Sequence, residues 1–190
     1  IDPVRYISNH SSGKMGYALA AKAAERGAHV ILVSGPSELS TPHPGIHRIN
    51  VISALEMEEA CLKYAGTSDV FILAAAVADY TPAAPASQKL KKSADTIELL
   101  LKKNPDIASH IGRIKRADQL LVGFALETEN AIENGFRKLE AKNMDMLVLN
   151  SLQDEGAGFG TDTNKISLLY KNKEIKNFDR IEKTAVAEDI

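Results

Sequence analysis

Short continuous apolar runs alternate along the chain with apolar stripes at helical spacing, and the two periods predict strands and helices taking turns from end to end. Met15, Ala18, Leu19 and Ala23 share one face of a helix that Ser11 or Ser12 would N-cap and Gly27 would stop. HVILVS, residues 29–34, follows as a buried strand, and the Gly, Pro and Ser content of 35–46 marks a loop. A short strand over 47–51 leads to Ser53-Ala54-Leu55-Glu56, which has capping-box spacing for a helix ending near Gly66. The strongest strand is DVFILAAA, residues 69–76, whose unbroken apolar run predicts the centre of a sheet covered on both faces. Beyond the Pro- and Ala-rich stretch 81–95, the pattern predicts a strand over 96–101 and then a helix with Asn104 as N-cap and Pro105 at its first position. A strand over 119–125, a helix over 131–142 and a strand over 144–149 (MDMLVL) come next. A glycine-rich loop at 155–160, a hairpin pairing 165–171 with 174–178, and a short helix complete the chain.

This alternation predicts an α/β fold: a Rossmann-like, mainly parallel sheet with helices on both faces, plus a C-terminal β-hairpin. Ligands of such sheets sit at the carboxyl ends of the strands, so the turns there are the places to look for chemistry. At 190 residues the chain suffices for one full-sized core and is short for two, hence a single domain over 1–190. It opens at Ile1-Asp2-Pro3 with no methionine and no strand leading into the loop before the first helix, which points to a piece of something longer.

Charge and composition narrow the partners. With 23 basic and 25 acidic residues the formal net charge is -2, so there is no sequence-wide footprint for nucleic acid and any anion site must be local. No apolar run reaches the roughly 18 residues of a membrane span, and no leader precedes the fold, so the expected location is cytoplasmic with no membrane partner. The single cysteine, Cys61, sits in an apolar helical pattern with Leu55, Met57, Tyr64 and Ala65 and reads as a structural thiol. Five scattered histidines offer no metal-ligand spacing, so no metal held by protein alone is expected.

The segment Ser11-Ser12-Gly13-Lys14-Met15-Gly16 raises the first chemical question. It is not a Walker loop, because Ser8 stands where a glycine is needed and Met15 where a hydroxyl is needed. It is not the dinucleotide fingerprint either, because Ser11 replaces the first glycine and no acid closes the strand at Ser34. What fits is a helix start whose backbone N–H groups, with Ser12, Gly13 and Lys14, attract an anion, or else an ordinary cap. Asp79, after the central strand, could hold a ribose hydroxyl or a metal-bound phosphate, or cap a turn. Lys89, Lys91 and Lys92 in QKLKK could close over a triphosphate or simply face solvent. Lys138 and Lys142, four apart on a helix, could meet two phosphate oxygens or equally form an exposed face. The Asn9 amide can donate to charge developing on an acyl or phosphoryl oxygen. His10 beside it could act as a base, though no neighbouring carboxylate orients it.

DPVRYISNHSSGKMG, LVSGP, AAAVADY, QKLKK, KNPDI, GFALET and GFG-x-D-x-N, in this order, resemble phosphopantothenoylcysteine synthetase (phosphopantothenate:cysteine ligase) over nearly the whole chain. That family is the synthetase part of the bacterial bifunctional coenzyme A biosynthesis protein. The resemblance implies a two-step ligation. The carboxylate of 4'-phosphopantothenate attacks the α-phosphorus of CTP, with Mg2+ carried on the CTP phosphates, to give an acyl-cytidylate and pyrophosphate. The amine of cysteine then displaces CMP. By motif, Asn9 would stabilise the acyl-cytidylate with Arg5 as a lesser candidate, and Lys89 would serve at the nucleotide and in the second half-reaction. Leu73, Ala74 and Ala75 would offer backbone contacts to the nucleotide and Asp79 a side-chain contact. Pro105, Asp106, Ile107, Ala108, Phe124, Lys138 and Lys142 would complete its pocket. The preference for cytosine comes from the resemblance alone. The family's opening strand and the separate flavin-dependent decarboxylase domain, expected in cis in the full-length protein, are absent from 1–190, so no FMN is expected here. The resemblance also implies a homodimer, to which the hairpin would contribute. The readings set against it are a nicotinamide-dependent reductase, weakened because no tyrosine has a lysine four residues on, and a non-catalytic nucleotide-binding module.

Overall fold

A computed structural model of the chain describes residues 1–91, 95–127, 129–151 and 163–190. Helix α1 (Lys14–Glu25) leads to β1 (Val30–Ser34) and β2 (Ile46–Asn50), which pair in parallel as a two-stranded sheet. Then come α2 (Ala54–Tyr64), β3 (Val70–Leu73), β4 (Tyr80–Pro82), β5 (Leu101–Lys103), α3 (Ile107–Ile114) and β6 (Leu120–Glu127). The chain ends with α4 (Ala131–Ala141), β7 (Met146–Ser151), β8 (Thr163–Tyr170), β9 (Ile175–Glu182) and α5 (Lys183–Asp189). The main sheet has the order β3-β6-β7-β8-β9. Its first three strands are parallel, and β8 and β9 are antiparallel, as the expected hairpin requires. None of the helices among the described residues is long and apolar enough to cross a membrane.

The sheet separates two apolar layers, because alternate residues of a strand face opposite sides. Phe71, Leu121, Ala125, Leu147 and Leu149 pack with Ile107 and Ile111 of α3 and Leu139 of α4, with Met57 and Cys61 of α2 at the margin. Val122, Met146, Val148, Ile166 and Leu168 face the other way and pack with Val186 of α5 and Met15 of α1. The amino ends of the strands are tied by polar groups. Gln119, almost wholly buried, donates its amide to the carbonyls of Ala65 and Ser68 at 2.8 and 2.5 Å. Asp145 accepts from Lys115 at 2.9 Å and from the Leu121 N–H at 2.8 Å. The opposite, carboxyl ends of the strands are left for chemistry.

Four expectations need correction. The strand read as central, β3, is the edge of the main sheet: Phe71 is buried, but Val70 and Ile72 are 49% and 38% exposed. The interior strands are β6, β7 and β8, and β7 is buried on both faces, with Met146 to Leu149 all buried. An apolar run shows that a strand has apolar side chains, not how many neighbours it has. Secondly, neither Ser11 nor Ser12 caps α1. Its N-cap is Gly13 at φ 75°, and the Ser11 hydroxyl instead accepts from the Gly13 N–H. Thirdly, the strand expected over 96–101 is shifted: β5 is Leu101–Lys103, so only Leu101 of the expected residues is in it, set by pairing with the three residues of β4. Fourthly, α3 is capped by Asp106 rather than Asn104, its carboxylate accepting from the Ser109 N–H at 3.0 Å, which leaves Pro105 ahead of the helix. The capping box at Ser53 is present, with the Ser53 hydroxyl accepting from the Glu56 N–H and Glu56 accepting from the Ile52 N–H.

Candidate functional site

The turn after β3 is the organising element. Three successive carbonyls in it are held by asparagines from elsewhere. Asn9 donates its amide to Val77 O at 3.1 Å, Asn104 donates its amide to Ala78 O at 2.7 Å, and the Asn104 backbone N–H donates to Asp79 O at 2.9 Å. The next residues, Pro105 and Asp106, open α3, and Lys142 Nζ lies 3.1 Å from the Asp106 carboxylate. Hydrogen bonds thus join Asn9 and Asn104 to the segment from Val77 to Asp79, and Asp106, two residues beyond Asn104 in the chain, is paired with Lys142. These residues lie far apart in the chain, and the β3 turn brings them together.

Lys142 reaches this place because α3 and α4 come unusually close. A Cβ on Gly112 would lie 1.9 Å from the Lys142 carbonyl oxygen, so only glycine lets the two backbones touch. Asn143, at φ 49°, secures the contact by donating to Gly112 O at 2.8 Å. Burial tends to raise the Asp106 pKa, but the Ser109 N–H and the Lys142 ammonium outweigh it and hold the carboxyl below its ordinary range. Asp106 is therefore an anion at neutral pH, and Lys142 is already paired in the free protein. Lys138 is paired too, with Glu127 at the end of β6.

The other candidates fall into place around this run. Leu73 is the last residue of β3, opposite Gly123, and packs on the α3 and α4 layer, while Ala74 and Ala75 continue past the strand end with Ala75 exposed. Ile107 is buried in that layer, Ala108 packs against it, and Asp79 is exposed beside β4. Phe124 packs against the opposite layer, as Met15 of α1 does, so the sheet separates it from the layer of α3 and α4. Ser12 is exposed. Gly13 gives α1 no side-chain cap, and the first turn of the helix carries no acid. Ser34, where a dinucleotide site would carry an acid, is buried, with its hydroxyl 3.0 Å from Tyr17 Oη.

Lys89 is exposed, and Lys92 and the 152–162 stretch with most of the GFG motif lie outside the described residues. Arg5 is bound to Asp2 at 2.5 Å and to the Leu90 carbonyl at 3.1 Å, next to Lys89. Among the described residues no group of three or more His, Cys, Asp or Glu side chains is placed to hold a metal ion. Two shallow concavities are lined by other residues, one by Asn50, Glu56, Lys63 and Tyr64 and one by Tyr17, Ser40, Pro42 and His43. Asn9, Asp79, Asp106 and Lys142 stand instead around the turn after β3, outside both concavities. Sequence reasoning missed Asn104, which it read only as a helix cap, and Asp2, whose spacing from Arg5 was the only available sign.

The family model for the DNA/pantothenate metabolism flavoprotein C-terminal domain matches residues 1–190. The chain belongs to this family. A relative named cysteine/cysteine sulfinic acid decarboxylase, from an unknown prokaryotic organism, is 50% identical over 190 residues, which is 100% of this chain and 53% of that protein. The coenzyme A biosynthesis bifunctional protein CoaBC of Haemophilus influenzae is 51% identical over 172 residues, 90% of this chain and 42% of that protein. The chain therefore spans about half the length of the curated relatives it matches. Among solved structures, the C-terminal domain of a CoaBC protein superposes with a TM-score of 0.82 at 39% identity, covering 100% of this chain and 84% of that one. A Cab2 mutant in complex with phosphopantothenate-cysteine shares the fold of this family member, with a TM-score of 0.72 at 15% identity over 97% of this chain and 79% of that one.

Proposed function

We propose that this domain is a phosphopantothenate–cysteine ligase of coenzyme A biosynthesis. It activates the carboxylate of 4'-phosphopantothenate with CTP to an acyl-cytidylate and then transfers the acyl group to the amine of cysteine, releasing CMP. The observation that supports this reading is the turn after β3, on which Asn9 and Asn104 converge by hydrogen bonds, with the Asp106–Lys142 pair two residues beyond Asn104. The bifunctional relatives and the CoaBC C-terminal domain structure support it. Two anions must meet in the first step, so cationic groups have to offset their repulsion, and Lys89, Lys138 and Lys142 are the candidates. Asn9, its amide oriented by Val77, donates to the oxyanion that forms at the acyl phosphate. On this reading Mg2+ comes with the CTP phosphates, where it neutralises part of their charge. Ser34, buried against Tyr17, weighs against a nicotinamide cofactor, whose ribose needs an acid at that strand end.

The test uses the chain alone and also in place of the matching segment of the Haemophilus influenzae relative. Each form is incubated with 4'-phosphopantothenate, cysteine, Mg2+ and CTP, and CMP and pyrophosphate are measured. Equal amounts of both, dependent on the pantothenate and the cysteine, are expected. No CMP above the control from either form overturns the reading. ATP in place of CTP tests the nucleotide preference, and decarboxylation of cysteine alone tests whether the chemistry named for the first relative resides here. A homodimer is proposed with the ligase, and sedimentation at two concentrations checks it.

A further inference from the structure

We infer that Asp2 and Arg5 form a two-sided clasp on the peptide of Leu90, and that this clasp positions Lys89. Asp2 Oδ2 accepts from the Leu90 N–H at 3.1 Å, while Arg5 Nη2 donates to the Leu90 carbonyl at 3.1 Å. Both polar groups of one residue are thus held by the two halves of a single ion pair. The pair itself is bidentate on the arginine side, with Nε and Nη2 at 3.0 and 2.5 Å from Asp2 Oδ2. Asp2 Oδ1 accepts from the Val4 and Arg5 N–H groups, both at 2.9 Å. The Asp2 side chain is 0% exposed, although Arg5 is 44% exposed and the surrounding segment is largely open to solvent. Three backbone N–H groups and the Arg5 guanidinium thus converge on this carboxylate, and Arg5 is the counter-charge that offsets its burial.

The location gives the clasp its purpose. Leu90 adjoins Lys89, and the segment that carries Arg5 runs on to Asn9, whose amide is fixed on Val77. One short stretch of chain therefore anchors the backbone beneath Lys89 at one end and presents Asn9 at the other. The spacing between these two side chains is set by the clasp and not by packing, since both stand on exposed coil. Arg5 then acts through Lys89 as a positioning residue, and Asp2 is its necessary partner. What Lys89 does once positioned rests on the ligase reading above.

The test combines a structural and a kinetic readout on the same variants. In Asp2→Ala, amide hydrogen exchange at Leu90 should accelerate and formation of the cysteine amide should fall on the order of tenfold to a hundredfold, as displaced catalytic groups do. In a Lys89→Gln background, Asp2→Ala should add less than about a twofold loss, because the group it positions is gone. Arg5→Lys keeps the charge but loses the fork, and it should repeat both results should Asp2→Ala fail to fold. Losses from Asp2→Ala and Lys89→Gln that multiply, or an unchanged rate with faster Leu90 exchange, overturn the positioning role. If the wild-type protein forms no CMP, the ligase reading fails, and Leu90 exchange alone judges the clasp. Unchanged exchange overturns it, and faster exchange upholds it without its catalytic purpose.

Discussion

Asp106 and Lys142 stand at the ends of helices laid over a core in which Ile111 and Leu139 are almost wholly buried, whereas Asn9 and Lys89 stand on exposed coil held by a few polar bonds. The helical half is placed by packing, which is dense and tolerant of small polar losses. The coil half is placed by a small number of named hydrogen bonds. The two halves should therefore fail differently. Substitutions in the coil half should remove activity and leave the fold, while substitutions in the helical half should first cost stability.

The largest effect is expected from Lys89→Gln, which should lower formation of the cysteine amide by roughly 10²-fold or more while the thermal midpoint stays unchanged. Asn9→Asp should follow closely, with a loss of about 10²-fold, since a carboxylate cannot donate and repels the phosphate. A rate equal to wild type in either variant would return its side chain to the solvated surface. In the helical half, Gly112→Ala should destabilise by about 1–3 kcal/mol in urea unfolding, because the new methyl must push the Lys142 peptide away. Nucleotide affinity should weaken with it, as Lys142 moves.

Asp106→Ala removes a helix cap and should cost about 1 kcal/mol at neutral pH. The pH dependence has a definite sign. The folded-state pKa of Asp106 lies below the unfolded value, so its contribution is present above about pH 4 and is lost as the pH falls through the lowered value. The Ala variant should accordingly lose less stability than wild type between neutral and acidic pH. The smallest effect concerns Cys61, where burial and the Glu58 carboxylate raise the thiol pKa. Thiol reagents at neutral pH should modify it slowly in the native protein and quickly in urea.

Much of this arrangement was legible in the order of residues. The alternation of periods specified the α/β layers, since amphipathic spacing is a local property that tertiary contacts seldom reverse. The rank of a strand within its sheet is not local, which is why VFIL in β3 and MLVL in β7 look alike as text and differ in the fold. The caps failed for a related reason. Asp106 and Asn104 are both good caps, and the choice fell to Asp106 because Asn104 is engaged by the β3 turn. The Asp2 carboxylate was invisible because the Leu90 peptide it holds is distant in sequence.

The pairing of Lys142 with Asp106 and of Lys138 with Glu127 has a consequence for selectivity. A pocket of bare lysines would collect inorganic phosphate and every passing metabolite anion. Here each ammonium already has a counter-ion, so a newcomer gains only by carrying more charge than the carboxylate it displaces, or by bringing a cation for that carboxylate to meet. A metal-bearing triphosphate satisfies both conditions, whereas a lone monophosphate carries less charge and brings no cation. On the ligase reading proposed above, the two ion pairs favour a metal-bearing triphosphate over a nucleotide monophosphate.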